Sequence, residues 1–442
     1  MFGANPNTIP LKTQWEASFQ LNHYKVPLYP ILARMSMKAL LNEGDTLKRT
    51  YSSDGIAGDM GGNGSYQTTA ATNTEESLQI NTKKFFATQW PSWEKLLWHL
   101  NNDVEYREKA IRRLINQTDA DILAAVTAAA NTTMDDGTFS GTSGNGFAPT
   151  NGNVFQLFTK ANKYLRLANT DYPANVPFTG NVKVDRSRKF KVAVIDPQTA
   201  QLLEEYLGTK NSKLGDDISH EGYQQMFMGF NVFVSNNLPF ICTLTSDDGT
   251  TQFQDTETIT IAGVTLTWKS TLGTTAGNIH ITDTLAHDFA NLATSINAPF
   301  TSVTSGTAVG FVALTTTEVN TTAKALVWGL PTSIGSNISA VATATTCVIT
   351  IKGVNTVALS ETCAKATFTA AKQITQSLFA VTKCIDLVMK RSPSAEINPV
   401  SGQIAKDLVV WNLYGSKVFH DQAPQIVAAN LVADSAAPTQ TF

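Results

Sequence analysis

Charge is scarce in this chain. Of 442 residues, 16% are Asp, Glu, Lys or Arg, and 33 basic against 36 acidic residues leave a net charge of −3. That excludes a nucleic-acid binder relying on bulk positive charge. Cysteine is as sparse. Cys242, Cys347, Cys363 and Cys384 form neither a CxxC pair nor a zinc spacing. They read as reduced, mostly buried thiols of a protein made in cytoplasm, with a Cys347–Cys363 disulfide as the alternative. No apolar run is long enough to span a membrane. The opening MFGANPNTIPLKTQWEASF has no basic stretch before an apolar one, so it is not a secretory signal.

Catalytic grammar is missing too. There is no Gly-Lys dipeptide and hence no P-loop. SHEGYQQ begins like a zincin motif, but Gln224 stands where the second histidine belongs. GTSGNG fails as a nucleophile elbow at Asn145. His23, His99, His220, His280, His287 and His420 show no ligand spacing, and TSDDGT and MDDGT read as turns rather than calcium loops. Neither an enzyme nor a cofactor is expected. The basic run KVDRSRKFK offers Arg186, Arg188 and Lys189 as candidate phosphate contacts, against the plainer reading of a solvated edge strand.

What is present is neutral surface, threonine, and a long polar arm. Residues 1–43 suggest an extended arm leading into a short helix. The stretch GDTLKRTYSSDGIAGDMGGNGSYQTTA carries six glycines from Gly44 to Gly64 and little that could fill a core. It returns through LQINTKKFFA, where Leu78, Ile80 and Thr82 alternate with polar neighbours like one face of a ribbon. From Ser92 to Asn116 the apolar stripe Trp93, Leu96, Leu97, Leu100, Val104, Ile111, Leu114, Ile115 predicts a helix about 37 Å long. Asp103–Arg107, Glu105–Lys109 and Glu108–Arg112 are spaced four apart as acid-to-base pairs. Thr118 and Asp121 resemble a capping box opening a second helix. VFQLFTKANKYLRLAN reads as a further helix. RKFKVAVIDPQTAQLLEEYL reads as a buried strand ended by Asp196-Pro197 and followed by a helix.

After the strand-and-turn GFNVFVSNNLP the composition changes. From about Leu244 to Thr369 the chain is rich in Thr, Ala and Val. It reads as an inserted α+β module: a hairpin turning at Ala262-Gly263, strands NIHIT, GFVALTTT, CVITIKG and ATFTA, and a helix with Leu285, Phe289, Leu292 and Ile296 on one face. SLFAVTKCIDLVM and DLVVWNLYGSKVF then return to buried-strand character.

The ordered set GDTLKRT, EESLQINTKKFFATQ, the long amphipathic helix, TDADIL, VAVIDPQTAQLLEE, GYQQMFMGFNVFVSNNLP and LVVWNLYGSKVF resembles the major capsid proteins of tailed bacteriophages. The resemblance covers roughly 31–240 and 375–430. It implies the α+β fold of Hong Kong 97 type: N-terminal arm (1–43), extended E-loop hairpin (44–90), and a peripheral domain with a long spine helix. An axial domain with a β-sheet core is shared between 91–243 and 373–442, and 244–372 is an insertion domain. It implies a structural subunit that builds an icosahedral shell around double-stranded DNA. Subunit contacts would be made by Lys48, Arg49, Tyr51, Lys83, Lys84, Arg107 and Arg112. The implied partners are copies of the chain in hexamers and pentamers, with scaffolding, portal and cement proteins. DNA would be touched weakly, and no membrane is involved. The implied place is the virion, after assembly in host cytoplasm. No charged helical segment precedes the arm, so a fused scaffolding domain is not expected, and no lysine matches the family's cross-linking residue. A secreted, Thr-rich adhesin is the competing reading.

Overall fold

A computed structural model describes residues 26–35, 46–52, 72–91, 102–168, 190–208, 226–305, 309–319, 321–329, 336–355, 357–399 and 405–433. In chain order these form α1 (Tyr29–Leu32), β1 (Ala33–Arg34), β2 (Thr46–Ser52), β3 (Asn73–Gln79), β4 (Thr82–Pro91), the long helix α2 (Asn102–Ala128) and β5 (Thr132–Met134). Next come α3 (Phe155–Leu167), β6 (Lys191–Ile195), α4 (Pro197–Gly208), β7 (Met226–Phe227), β8 (Phe230–Val234) and β9 (Phe240–Ser246). The Thr-rich region supplies β10 (Thr258–Ile261), β11 (Val264–Lys269), β12 (Asn278–His280), α5 (Leu285–Asn297), β13 (Val303–Ser305), β14 (Val309–Phe311) and α6 (Thr322–Trp328). It continues through β15 (Ile338–Ala342), β16 (Thr346–Ile351), β17 (Leu359–Glu361) and β18 (Ala366–Phe368). The chain closes with β19 (Ile374–Val381), β20 (Ile385–Pro399), β21 (Ala405–Lys417) and β22 (Ile426–Val432).

Among the described residues the strands form a two-stranded ribbon β2-β3 and three larger sheets. Four strands run β1-β20-β21-β4. Ten belong to a sheet whose main path is β15-β16-β9-β19-β6-β8-β7, with β18, β22 and β5 attached. Six run β13-β14-β12-β11-β10-β17. The alternating stretch after Thr74 is therefore two strands, not one return strand. Asn73–Gln79 pairs with Thr46–Ser52, while Thr82–Pro91 leaves to pair with β21. The crossing at Gln79–Ile80 is tight: a Cβ on Gly415 would lie 2.2 Å from the Gln79 carbonyl oxygen.

The expected break between two helices is absent. One helix of 27 residues runs from Asn102 to Ala128, about 40 Å. Residues 92–101, and the side chains before Arg107, lie outside those described. No glycine or proline interrupts Asn116–Asp121, and the polar groups there find tertiary partners instead of capping a new start. Ala110 and Leu114 pack with Leu408 and Val410 of the four-stranded sheet. About two turns later Ile122, Leu123 and Val126 pack with Val192, Val194, Leu378 and Ala380 of the ten-stranded sheet. The helix thus joins two sheets, and its polar stretch falls where one apolar contact gives way to the other.

Several sequence expectations match. Thr199 donates from both backbone N and hydroxyl to Asp196, starting α4 with Pro197 in its first position. Ala262 (φ 51) and Gly263 (φ 77) are both left-handed, as the tight turn between β10 and β11 requires. Leu285, Phe289, Leu292 and Ile296 are all buried on α5. The four cysteines are free thiols, with Cys242, Cys347 and Cys384 buried and Cys363 half-buried, so the Cys347–Cys363 disulfide is not formed. Burial pushes the Cys347 thiol up to about 12.

The Thr-rich region has its own hydrophobic core, from Phe240 and Cys242 through Trp268, Phe289 and Trp328 to Phe368. Its strands nevertheless do not stand apart. β16 pairs along the length of β9, and β9 pairs with β19 at Ile241↔Ile374 and Phe240↔Thr375. The region's entry and exit are neighbouring strands.

Candidate functional site

Among the described residues no group of three or more His, Cys, Asp or Glu is placed to hold a metal. A shallow cavity of about 600 Å³ is lined by Gly249, Thr251, Gln252, Asp283 and Leu285 among others. At its rim His287 Nδ1 lies 2.8 Å from Asp283 Oδ1, with both side chains exposed. The two Asp-Asp-Gly turns satisfy themselves. Asp248 takes bonds from the Thr251 hydroxyl and the Thr251 and Thr250 amides, which hold its carboxyl at about 2. Asp135 takes bonds from Thr138 N, Ser143 Oγ and Gly144 N.

What does assemble are two polar nodes that fix the extended parts of the chain. The first lies at the ribbon root. Asp386, on β20, is fully buried. Arg34 of β1 donates to it twice, Nε to Oδ1 at 2.8 Å and Nη2 to Oδ2 at 2.7 Å, and Gln422 Nε2 donates to Oδ1 at 2.9 Å. Arg49 of the ribbon approaches the same carboxylate at 3.5 Å and Asp421 at 3.4 Å.

The second node lies on the long helix. Thr118 hydroxyl donates back to Leu114 carbonyl at 2.9 Å and accepts from Asn412 Nδ2 at 2.9 Å. Buried Asp119 accepts from the backbone N of Leu28 and Tyr29, each at 2.7 Å to Oδ1, and from Asn237 Nδ2 at 2.8 Å to Oδ2. It thereby ties the segment before α1 to the helix. Asp121 accepts from Tyr414 hydroxyl at 2.6 Å and pairs with Lys352 at 3.3 Å and Lys84 at 3.7 Å. Burial first, then the Asp121 carboxylate, pushes the Tyr414 hydroxyl up, so it remains a donor. Gln117 and Asn337 exchange amide bonds at 2.7 and 3.0 Å. Lys352 and Asn337 belong to the Thr-rich region, so it is fastened to the helix as well as to the sheet.

The residues singled out in the sequence distribute as follows. Lys48 is exposed and pairs across the ribbon with Glu75 at 3.3 Å. Arg49 and Tyr51 turn inward, because they share with Leu47, Leu78 and Glu76 the ribbon face that lies on the body. Lys83 is exposed, whereas Lys84, one residue on, faces the helix and Asp121. Arg107 and Arg112 lie on the long helix, half-buried and exposed respectively. Arg186, Arg188 and Lys189 lie outside the described residues. Sequence reasoning missed Asp386, Asp119, Lys352 and Asn337. One signal existed: a lone aspartate inside the apolar run CIDLVM must be paired if it is buried.

No family model matches the chain, and no curated protein matches it. Among solved structures, a chain of Mycobacterium phage Che8 superposes with a TM-score of 0.53 at 11% identity, covering 96% of this chain and 98% of that one. The chain has the fold of that phage chain. A capsid structure of the cyanophage P-SCSP1u follows at a TM-score of 0.48, with 10% identity and 98% and 96% covered. The mature capsid of bacteriophage PhiM1 gives 0.47, with 9% identity and 96% and 92% covered. Among the described residues no helix is long and apolar enough to cross a membrane.

Proposed function

We propose that this chain is the major capsid protein of a tailed phage, a non-enzymatic subunit that self-assembles into the head shell around double-stranded DNA. The observation that carries the reading is the fold shared with the phage Che8 chain over nearly the whole length of both. The residue-level resemblance to tailed-phage capsid proteins points the same way. In the Hong Kong 97-type layout, β2-β3 is the root of the E-loop, and the long helix is the spine of a peripheral domain built on the four-stranded sheet. The β19, β22, β5, β6, β8 and β7 part of the ten-stranded sheet is the axial core, and β9, β15, β16 and β18 belong to the inserted module. The inserted module, 244–372, carries the hydrophobic core that runs from Phe240 to Phe368.

An isolated two-stranded ribbon is marginal in water, so a ribbon reaching beyond its own body gains its stability from a neighbouring copy. The exposed face of the root, with Lys48, Thr50, Glu75 and Ser77, is the part open to that neighbour. Hexamers and pentamers of the chain, accompanying scaffolding, portal and cement proteins, weak DNA contact, and a place in the virion after assembly in the host cytoplasm belong to the same proposal. Sedimentation and negative-stain imaging of the purified chain test it. Shells, capsomers or tubes are the expected outcome, and a stable monomer under every assembly condition would refute the reading.

A further inference from the structure

The root of the ribbon lies on its own subunit through two kinds of contact. Nearest the body, Leu47 and Leu78 pack with Val388, Leu413 and Phe419, and Leu78 is 1% exposed. Farther along, apart from the 3.5 Å approach of Arg49 to Asp386, the ribbon meets one tripeptide, Phe419-His420-Asp421. The Arg49 guanidinium stands over the Phe419 ring at 4.5 Å and 3.4 Å from Asp421. The Tyr51 and His420 rings stack at 4.8 Å with 3° between their planes. The His420 amide donates to Glu76 Oε2 at 3.0 Å.

We propose that this second set is a releasable latch that sets the angle at which the ribbon leaves the body, with the Leu47–Leu78 contact as its pivot. Three features separate latch from pivot. The Asp421 side chain is 64% exposed, so its pair with Arg49 is screened by water and salt. Asp386 keeps Arg34 and Gln422 when Arg49 departs, so opening leaves no unpaired buried charge. All four contacts end on three consecutive residues, so one displacement releases them together. The latch is internal to a single chain and does not depend on the shell reading.

The test is amide exchange on the full-length chain in solution. Arg49→Met keeps the apolar stem over Phe419 and removes the charge. An unlatched ribbon frays, so exchange in 46–52 and 73–79 should quicken about three- to tenfold. Strands β6 and β19 should be unchanged. Asp421→Asn should reproduce this. Raising salt from about 0.1 to about 1 M shortens the screening length from about 10 to about 3 Å. It should quicken the same peptides in the native chain clearly more than in Arg49→Met, where the exposed Lys48–Glu75 pair is the ribbon's remaining cross-strand ion pair among the described residues. Leu78→Ala, by contrast, should lower thermal stability along with ribbon protection. Unchanged ribbon exchange in Arg49→Met would overturn the latch, as would salt-insensitive exchange in the native chain. A variant that quickens β6 and β19 equally, or fails to fold, would show Arg49 to be a general support and would also overturn it.

Discussion

Replacing Asp119 tests whether the middle of the long helix is a structural hub. The carboxylate is fully buried and serves three donors: two backbone amides at 2.7 Å and an Asn237 amide at 2.8 Å. Charge-assisted bonds of this kind contribute roughly 1.5–3 kcal/mol each, but they share one acceptor group and do not add. Asp119→Ala strands all three donors in a dry site, which places the loss at about 3–5 kcal/mol. Asp119→Asn should cost much less, about 1 kcal/mol. Its Oδ1 still accepts from Leu28 and Tyr29, and Asn237 can flip its amide to accept on the other side. Denaturant unfolding followed by tryptophan fluorescence gives both values. Amide exchange should show residues 28–34 opening first in the alanine variant, because their anchor is gone. An alanine variant within about 1 kcal/mol of the native chain, or no better served by asparagine, would refute the assignment.

Gly415→Ala should destabilise by about 1–3 kcal/mol, since its Cβ would sit 2.2 Å from a backbone oxygen that cannot rotate away. Gly152→Ala, whose nearest neighbour is 3.9 Å off, should stay within about 0.5 kcal/mol. Asn337→Ala, a change in the Thr-rich region, should quicken amide exchange in helix residues 114–124, because Gln117 loses its partner from that region. Uniform exchange there would exclude the brace. Burial raises the carboxyl pKa of Asp288. The folded state therefore holds this proton more tightly, and its contribution to stability falls as pH rises from the ordinary carboxylate value through the raised one. Asp288→Asn keeps an acceptor for Thr282 and should gain stability at neutral pH relative to the native chain, with the difference vanishing in acid. A gain that persists unchanged at low pH would contradict this.

Periodicity made much of the architecture legible. β9 alternates buried and half-buried residues along its length, and α5 hides the face its spacing marks. Turn chemistry was legible for the same local reason: Ala262-Gly263 and Asp196-Pro197 act within a few residues. Long-range polar pairing was not. Arg34 and Asp386 are 352 residues apart, and Tyr414 and Asp121 are 293 apart. The capping-box reading of Thr118 failed for a related reason. Thr and Asp beside a helical run favour a cap only when their oxygens have no better partner. Here Asn412, Asn237, Tyr414 and two backbone amides arrive from elsewhere in the chain. The ribbon misled similarly. Leu78, Ile80 and Thr82 keep one alternating rhythm across the crossing at Gln79–Ile80, so the pattern could not show that the strand changes partner there.

The Thr-rich region between β9 and β19 meets two opposed requirements. Its entry and exit lie side by side, with β9 and β19 paired at Phe240↔Thr375. A region joined only there would swing on two strands. β16 and β18 widen the joint by pairing with β9, and Lys352 and Asn337 carry a second attachment to the long helix. Gly353 brings the backbone close enough that an added Cβ would lie 3.2 Å from Ala120 Cβ. Two attachments on different elements remove the hinge. The orientation of the Thr-rich region is therefore tied to the helix, and through Asp121 to β4 and β21. Any change in the curvature of that helix must move this region with it.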